Sequence, residues 1–366
     1  MNGWNMVKII TYAPLVVCAL TYLTFVRRAR LGVRAQAIWM IALLACFSKF
    51  VFFKALGGHP FVPALPDKLI WFWDWAYSGA MILFGLSVLA FFRFRGKAVV
   101  LPFVAWGLSA WGLWNGLCVP AVVEKELAFE NLPASLDGYR IVQLADLHAS
   151  TAARRWRTQA IVDLVNAQNA DLVCLTGDNV DGRIGLSRDF IEPFKELQAK
   201  DGVYACTGNH EYYFGYRAWM SGFFDQVKNI RFLTNACVFP RPGLALAGVP
   251  DLAGIRRKSD VAPDVRTAFA AATNGEFRVL LQHQPKWAET NVREVGVDLQ
   301  LSGHTHGGIA PGLDLLVAKH NAGYSRGFYR FGRSVLHVSP GCGQWAGFPM
   351  RFFNDSEITL LTLRRK

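Results

Sequence analysis

YRIVQLADLH, residues 139–148, sets the pattern for the larger part of the chain. An apolar run rich in Ile, Val and Leu, closed by a polar turn, reads as a buried β-strand. This one ends in Asp146-Leu147-His148, two ligand-type side chains at a strand's C-terminal end. The same construction recurs downstream. DLVCLTGD (171–178) runs into Gly177-Asp178-Asn179-Val180-Asp181, and GVYACTGN (202–209) into Gly208-Asn209-His210-Glu211. FRVLLQH (277–283) ends in His283, and DLQLSGH (298–304) opens Gly303-His304-Thr305-His306-Gly307-Gly308. Further strands are expected at 244–250, 334–340 and 357–363, with an edge strand within 121–135. Helix-period segments at about 157–169, 188–200, 214–228, 264–272 and 285–293 separate them. Alternation of strand and helix predicts an α/β domain over 121–366.

Five of the eight histidines thus stand at strand ends beside carboxylates and glycines, the edge where α/β sheets place ligands. The donors are oxygen and nitrogen without cysteine, a set suited to Mn²⁺, Fe²⁺ or Zn²⁺ rather than to a thiolate structural zinc. In an extended D-x-H or H-x-H step alternate side chains share a face, so both members are expected to reach one ion. Neighbouring glycines let the backbone turn sharply.

In order, these blocks resemble the signature of the calcineurin-like metallophosphoesterases: D-x-H, GD-x-x-D, GNH-D/E, H and GH-x-H. The likeness runs over roughly 135–365 and includes Ser339-Pro340-Gly341-Cys342-Gly343 and Glu357-Ile358-Thr359. Within the family the chain is similar to the bacterial membrane-anchored phosphodiesterase branch and to transmembrane proteins with a metallophosphoesterase domain. The resemblance implies two packed mixed β-sheets flanked by helices. It implies a first metal on Asp146, His148, Asp178 and His306, with Asp178 bridging to a second on Asn209, His283 and His304. It makes His210 the non-ligand histidine that contacts the phosphate and serves the leaving oxygen. Asp181 and Glu211 are read two ways, as residues that orient a ligand or as solvated carboxylates. Ile309 departs from the polar residue that many relatives carry after GHTHGG.

The 366 residues are 52% hydrophobic and only 18% charged, with a mean hydropathy of +0.21, which excludes a disordered chain. The net charge of +12 is uneven: residues 1–120 hold 11 Lys and Arg against two acids, and the remainder 28 against 25. A nucleic-acid protein carries its basic field on the binding domain, so no nucleic-acid partner is expected. The basic residues instead flank four apolar stretches, 9–26, 35–53, 70–92 and 98–120, read as four membrane-spanning helices in a domain over 1–120. Seven basic residues in the loops after the first and third stretches, against four on the other side, predict both termini outside the cytoplasm. Lys49 and Asp74, as charges inside or near apolar spans, are read two ways, as functional candidates or, preferred, as a snorkelling lysine and an interfacial aspartate. No disulfide framework is expected from seven scattered cysteines.

The expected protein is therefore a multi-pass enzyme of a bacterial inner membrane, with its catalytic domain periplasmic or extracytoplasmic. It would hydrolyse a phosphate ester, monoester or diester, by hydroxide activated on two divalent ions. Membrane lipids are the expected partners and a phosphorylated or lipid-linked molecule the expected substrate. Two other readings are a hydrolase of a nucleotide-linked glycolipid of the UDP-diacylglucosamine type, with a cytosolic site, and a non-catalytic membrane scaffold. Arg154, Arg155, Trp156 and Arg157 are read as a grip for phosphate or as ordinary surface, and Gln344 to Phe353 as an acyl-chain path or as core.

Overall fold

Side chains alternate across a strand, and that alternation builds the larger unit of the computed structural model, which describes residues 3–27, 29, 31–93, 100–151, 154–256, 261–345, 347 and 349–366. Its strands are β1 (Ala121–Phe129), β2 (Arg140–Leu144), β3 (Leu172–Thr176), β4 (Val203–Cys206), β5 (Ile230–Phe232) and β6 (Ala236–Arg241), then β7 (Leu244–Gly248), β8 (Phe277–Leu281), β9 (Leu299–Ser302), β10 (Gly327–Phe331), β11 (Ser334–Val338) and β12 (Glu357–Arg365). One sheet runs β1-β12-β2-β3-β4-β5 and the other β10-β11-β9-β8-β7-β6. Both are mixed. β2 through β5 are parallel and β12 is antiparallel to β2; β7, β8, β9 and β11 are parallel between antiparallel edges.

Ile141, Leu172 and Cys174 of the first sheet meet Leu246, Val279 and Leu301 of the second in one buried cluster. Their sequence neighbours Val142, Val173 and Leu175 face the other way, onto Ile161, Val162 and Val165 of the helix Arg155–Ala167. Ala245, Ala247 and Leu280 likewise face Phe269 on the outer side of the second sheet. The α/β architecture of two mixed sheets with flanking helices is therefore present. Each fully buried Leu, Ile or Val contributes about 1.5–3 kcal/mol, so the double-faced core holds the sheets firmly enough to carry strained turns at their ends.

The second compact unit is Met1–Leu117 with Ala346–Met350. Here the four-span expectation is overturned. The helices are α1 (Gly3–Thr21), continued by a π-helical turn Tyr22–Val26, then α2 (Val33–Phe47), α3 (Lys49–Gly57), α4 (Asp67–Arg93) and α5 (Leu101–Leu117). Among the described residues only α4, over Asp67–Ala90, is long and apolar enough to cross a membrane; a second such span exists only if α2 and α3, bent by 55°, are counted as one. Hydropathy counts residues, whereas crossing needs unbroken helix. The apolar stretch 35–53 breaks at Ser48, which lies outside helical backbone at ψ 2°. The stretch 98–120 yields 17 helical residues, about 25 Å against a hydrocarbon core of ~30 Å. Without four spans the loops compared for orientation lose their meaning, and Arg28, Arg30, Arg95 and Lys97 lie outside the described residues.

Lys49 and Asp74 also differ from expectation. They pair with each other at 2.5 Å, their side chains 0% and 3% exposed, and the Lys49 ammonium lies over the rings of Phe50, Phe53 and Tyr77. Aromatic faces and a carboxylate satisfy the charge inside the unit, so the lysine has no need to reach the surface.

Candidate metal centre

Five parallel strands, β2, β3, β4, β8 and β9, deliver the donors just past their last residues, where the chain is free to turn. Asp146, His148, Asp178, His304 and His306 all have positive φ, between 45° and 74°. Left-handed backbone costs a non-glycine residue of order 1–3 kcal/mol and persists only where the surroundings impose it. None of these steps is extended backbone. Asp146 and His148 nevertheless share one cluster as expected of the D-x-H step, whereas the H-x-H expectation is corrected: His304 and His306 go to different clusters. Close approach demands glycine at two points: a Cβ on Gly208 would lie 2.1 Å from Asp178 Oδ1, and one on Gly303 2.4 Å from Asp146 Oδ2.

Two groups of donors result. Asp146, His148 and His306 converge, and so do Asp178, His283 and His304. Asp178 lies between them, its Oδ2 3.9 Å from His148 Nε2 and 3.2 Å from His283 Nε2. Asn209 Oδ1 is 3.2 Å from His283 Nε2. Hydrogen bonds fix which atom each ring presents. The His283 Nδ1–H donates to the Thr176 carbonyl at 2.8 Å, and the His148 Nδ1–H to Asp181 Oδ1 at 3.0 Å. Both rings therefore turn Nε2 inward, the arrangement that orients metal-binding imidazoles. His148 Nε2 and His306 Nε2 face each other at 3.1 Å. Burial pushes His304 down to about 3 and drives His306 well below the usual imidazole range, so both rings are neutral. Burial raises the Asp146 carboxyl to about 6 against the opposing pull of His283 and His148. Acceptors and lone pairs thus crowd together, and divalent cations are what such a donor set accommodates. The residues fit a dinuclear centre.

A third group, His148, Asp181 and His210, has a different logic. Asp181 Oδ1 accepts from both rings, including a very short bond from His210 Nδ1. Burial opposes its charge, but the two imidazoles hold its carboxyl far below the ordinary range. In return, burial works against a charged His210 while Asp181 and Asp178 raise it to about 9. Asp181 is buried, as is Glu211, which excludes the solvated reading for both. Glu211 accepts from the backbone N–H groups of Gly208, Asp178, Asn179 and Val180 and so clamps two ligand-bearing turns together.

Three supports were not foreseen. Asp251, just past β7, accepts both bonds of Gln284 Nε2 at 3.0 Å, and its N–H reaches Thr207 Oγ1 at 3.3 Å. It ties the turns before Asn209 and after His283, and its place at a strand end was the available signal. Arg351, fully buried, donates to the carbonyls of Pro340, Gly341 and Gly343, while Gly343 N–H holds the Asp146 carbonyl. Asn354 Nδ2 donates to the His306 carbonyl. No periodicity marks these last two. Arg157, read with its neighbours as a grip for phosphate or as ordinary surface, is neither: it is buried and bonds the carbonyls of Cys118 and Cys342. Arg154 stacks on Phe190. In the stretch 344–353, Phe348 lies outside the described residues.

Comparison with known proteins gives a consistent answer. A family model described as "Calcineurin-like phosphoesterase" matches residues 139–308. An "Uncharacterized metallophosphoesterase" of Helicobacter pylori is 31% identical over 96% of this chain and 97% of its own length. A "Transmembrane protein with metallophosphoesterase domain" of Danio rerio is 36% identical over 70% of this chain and 60% of its own length. The Bos taurus protein of that name is 31% identical over the same shares.

Proposed function

Since the chain belongs to the calcineurin-like phosphoesterases, metal-dependent hydrolases of phosphate esters built on a dinuclear divalent centre, we propose that the ester it cleaves is that of a phosphorylated lipid or lipid-linked molecule, at a membrane. The observation that carries this reading is α4, an apolar helix of spanning length in the same chain as the phosphoesterase unit. The names of the Danio rerio and Bos taurus relatives support it. Tethering raises the local concentration of substrates confined to a bilayer.

Asp146, His148, Asp178 and His306 would hold one ion, and Asp178, Asn209, His283 and His304 the other. Nitrogen and oxygen donors favour Mn²⁺, Fe²⁺ or Zn²⁺. When bound, such a pair supplies Lewis acidity at the phosphoryl oxygens and acidifies water at neutral pH. The chain's own residues do the rest. Asp181 accepts the Nδ1–H of His210 in a hydrogen bond and fixes that ring, leaving the Nε2–H, 3.8 Å from Asp178 Oδ2, as the proton for the departing oxygen. Glu211 and Asp251 hold the turns bearing Asp178, Asn209 and His283, so positions are set before substrate arrives.

The test uses detergent-purified wild type and His210→Ala, loaded with Mn²⁺, on an aryl phosphodiester, an aryl monoester and a phospholipid panel. Metal-dependent lipid turnover that His210→Ala lowers by ~10² or more is expected. Turnover of the aryl esters with no lipid cleaved would refute the substrate class.

A further inference from the structure

Beside the metal centre lies a helix that breaks the rule governing the rest of its unit. Leu313–His320 (LDLLVAKH) has five apolar residues among eight and buries none of them. Leu313, Leu315 and Leu316 are 46%, 73% and 52% exposed, and nearby Phe353 is 72% exposed. Helix Arg155–Ala167, by contrast, buries its apolar stripe. The position of Leu313–His320 is not loose, because a Cβ on Gly308 would lie 2.2 Å from Asp314 Cα; the helix is pressed onto the turn carrying His306. Between turn and helix is a cavity of about 260 Å³ lined by Gly307, Leu315, Arg326, Phe353 and Asn354. Arg326 donates to Asn354, which in turn donates to the His306 carbonyl. Clustered exposed apolar side chains mark interaction surfaces. The charges beside them name the occupant: from Ile309 to Arg330 there are three cations, Lys319, Arg326 and Arg330, against the single acid Asp314.

Apolar side chains projecting beyond a cationic border match a lipid–water interface with anionic headgroups. We propose that this rim is a lipid-docking surface: the leucines of Leu313–His320 and Phe353 enter among acyl chains, Lys319 and Arg326 engage headgroup phosphates, and the cavity leads the phosphoester to the His306 side of the centre. The proposal rests on the lipid-substrate reading above and adds where the lipid is gripped.

The experiment uses the full chain in detergent, loaded with Mn²⁺, as wild type, L315D/L316D and L315F/L316F. Each is assayed on a water-soluble aryl phosphodiester and on an anionic phospholipid in mixed micelles. L315D/L316D should lose at least tenfold in kcat/KM on the micellar lipid, through KM, and stay within twofold on the soluble ester; L315F/L316F should retain both. In parallel, amide exchange of residues 313–320 should slow when wild type moves from neutral detergent into phosphatidylglycerol nanodiscs, but not in L315D/L316D, whatever the turnover. Wild type that cleaves the soluble ester and no lipid refutes the substrate reading and this one with it. Lipid cleavage undiminished in L315D/L316D, or exchange unchanged by the nanodisc, overturns the docking surface alone. So does loss of self-association in the variant with lipid turnover intact, which would assign the surface to a second copy.

Discussion

Buried charge is handled in opposite ways in the two units. In the helical unit Lys49 meets Asp74 one to one inside a ring of aromatic faces. In the phosphoesterase unit Asp146, Asp178 and Asp181 crowd around imidazoles, several of whose N–H groups are already committed, and the excess is of acceptors. A neutral pair asks nothing of the outside and serves packing. An excess of acceptors is a standing demand for cations, kept in place by strained turns that a double-faced core can support. Burial alone therefore does not mark function; the balance of donors and acceptors does.

The most severe test of that contrast is Asp178→Ala, which removes the carboxylate lying between the two donor groups. Both groups should fail together. Activity is expected to fall roughly 10⁴-fold, about 5.5 kcal/mol, and bound metal per chain, measured by elemental analysis, to drop to one ion or fewer. Two ions retained with activity within tenfold would break the comparison, since Asp178 would then be an ordinary buried acid.

Next in size is the helical pair. Lys49→Met leaves Asp74 buried without its partner and should cost about 3–5 kcal/mol, read as a lowered unfolding midpoint in detergent. The double change K49M/D74L replaces the pair by apolar volume and should restore most of the loss. A double variant as unstable as the single would show that the pair has a role beyond neutralising itself.

How far each unit could be read from the chain follows from the same contrast. Asp146, His148, Asp178, Asn209, His210, His283, His304 and His306 were legible because strand and turn signals lie beside them in sequence. That His304 and His306 would part company came from the family resemblance and not from the H-x-H spacing, because it depends on left-handed backbone imposed by tertiary packing. Arg351 and Asn354 reach the site from far along the chain and bond mainly to carbonyls, which leave no trace in composition. The short strands β5 and β6 and the half-exposed β10 lacked the apolar run that exposed the others. In the helical unit hydropathy revealed apolar segments but not their continuity, since the break at Ser48 is a matter of backbone angle.

A finer distinction lies within the centre itself. Asp181→Asn keeps the shape but removes the charge shared by His148 and His210, and should cost roughly 10–100-fold in activity or metal affinity. It also predicts a shift in pH dependence. Asp181 and Asp178 raise His210 to about 9, so its protonated form persists through neutrality and is lost as pH rises through that value. With asparagine at 181 the loss should begin at lower pH, moving the alkaline limb of kcat/KM to the acid side. An unmoved limb would mean that His210 does not supply the proton.

The smallest effect belongs to a charge outside both arrangements. Arg155 is exposed at the start of the helix Arg155–Ala167, two residues from the buried Arg157. Surface substitutions of this kind change stability by about 0.5 kcal/mol or less. Arg155→Ala should accordingly leave the unfolding midpoint and the kinetics of the aryl phosphodiester within twofold of wild type. Arg157→Ala, which strips the bonds to the Cys118 and Cys342 carbonyls, should lower stability clearly. If Arg155→Ala instead raised KM tenfold at unchanged kcat, a second phosphate or headgroup would be held there. The boundary between structural and functional arginines in this segment would then have to be redrawn by exposure rather than by bonding.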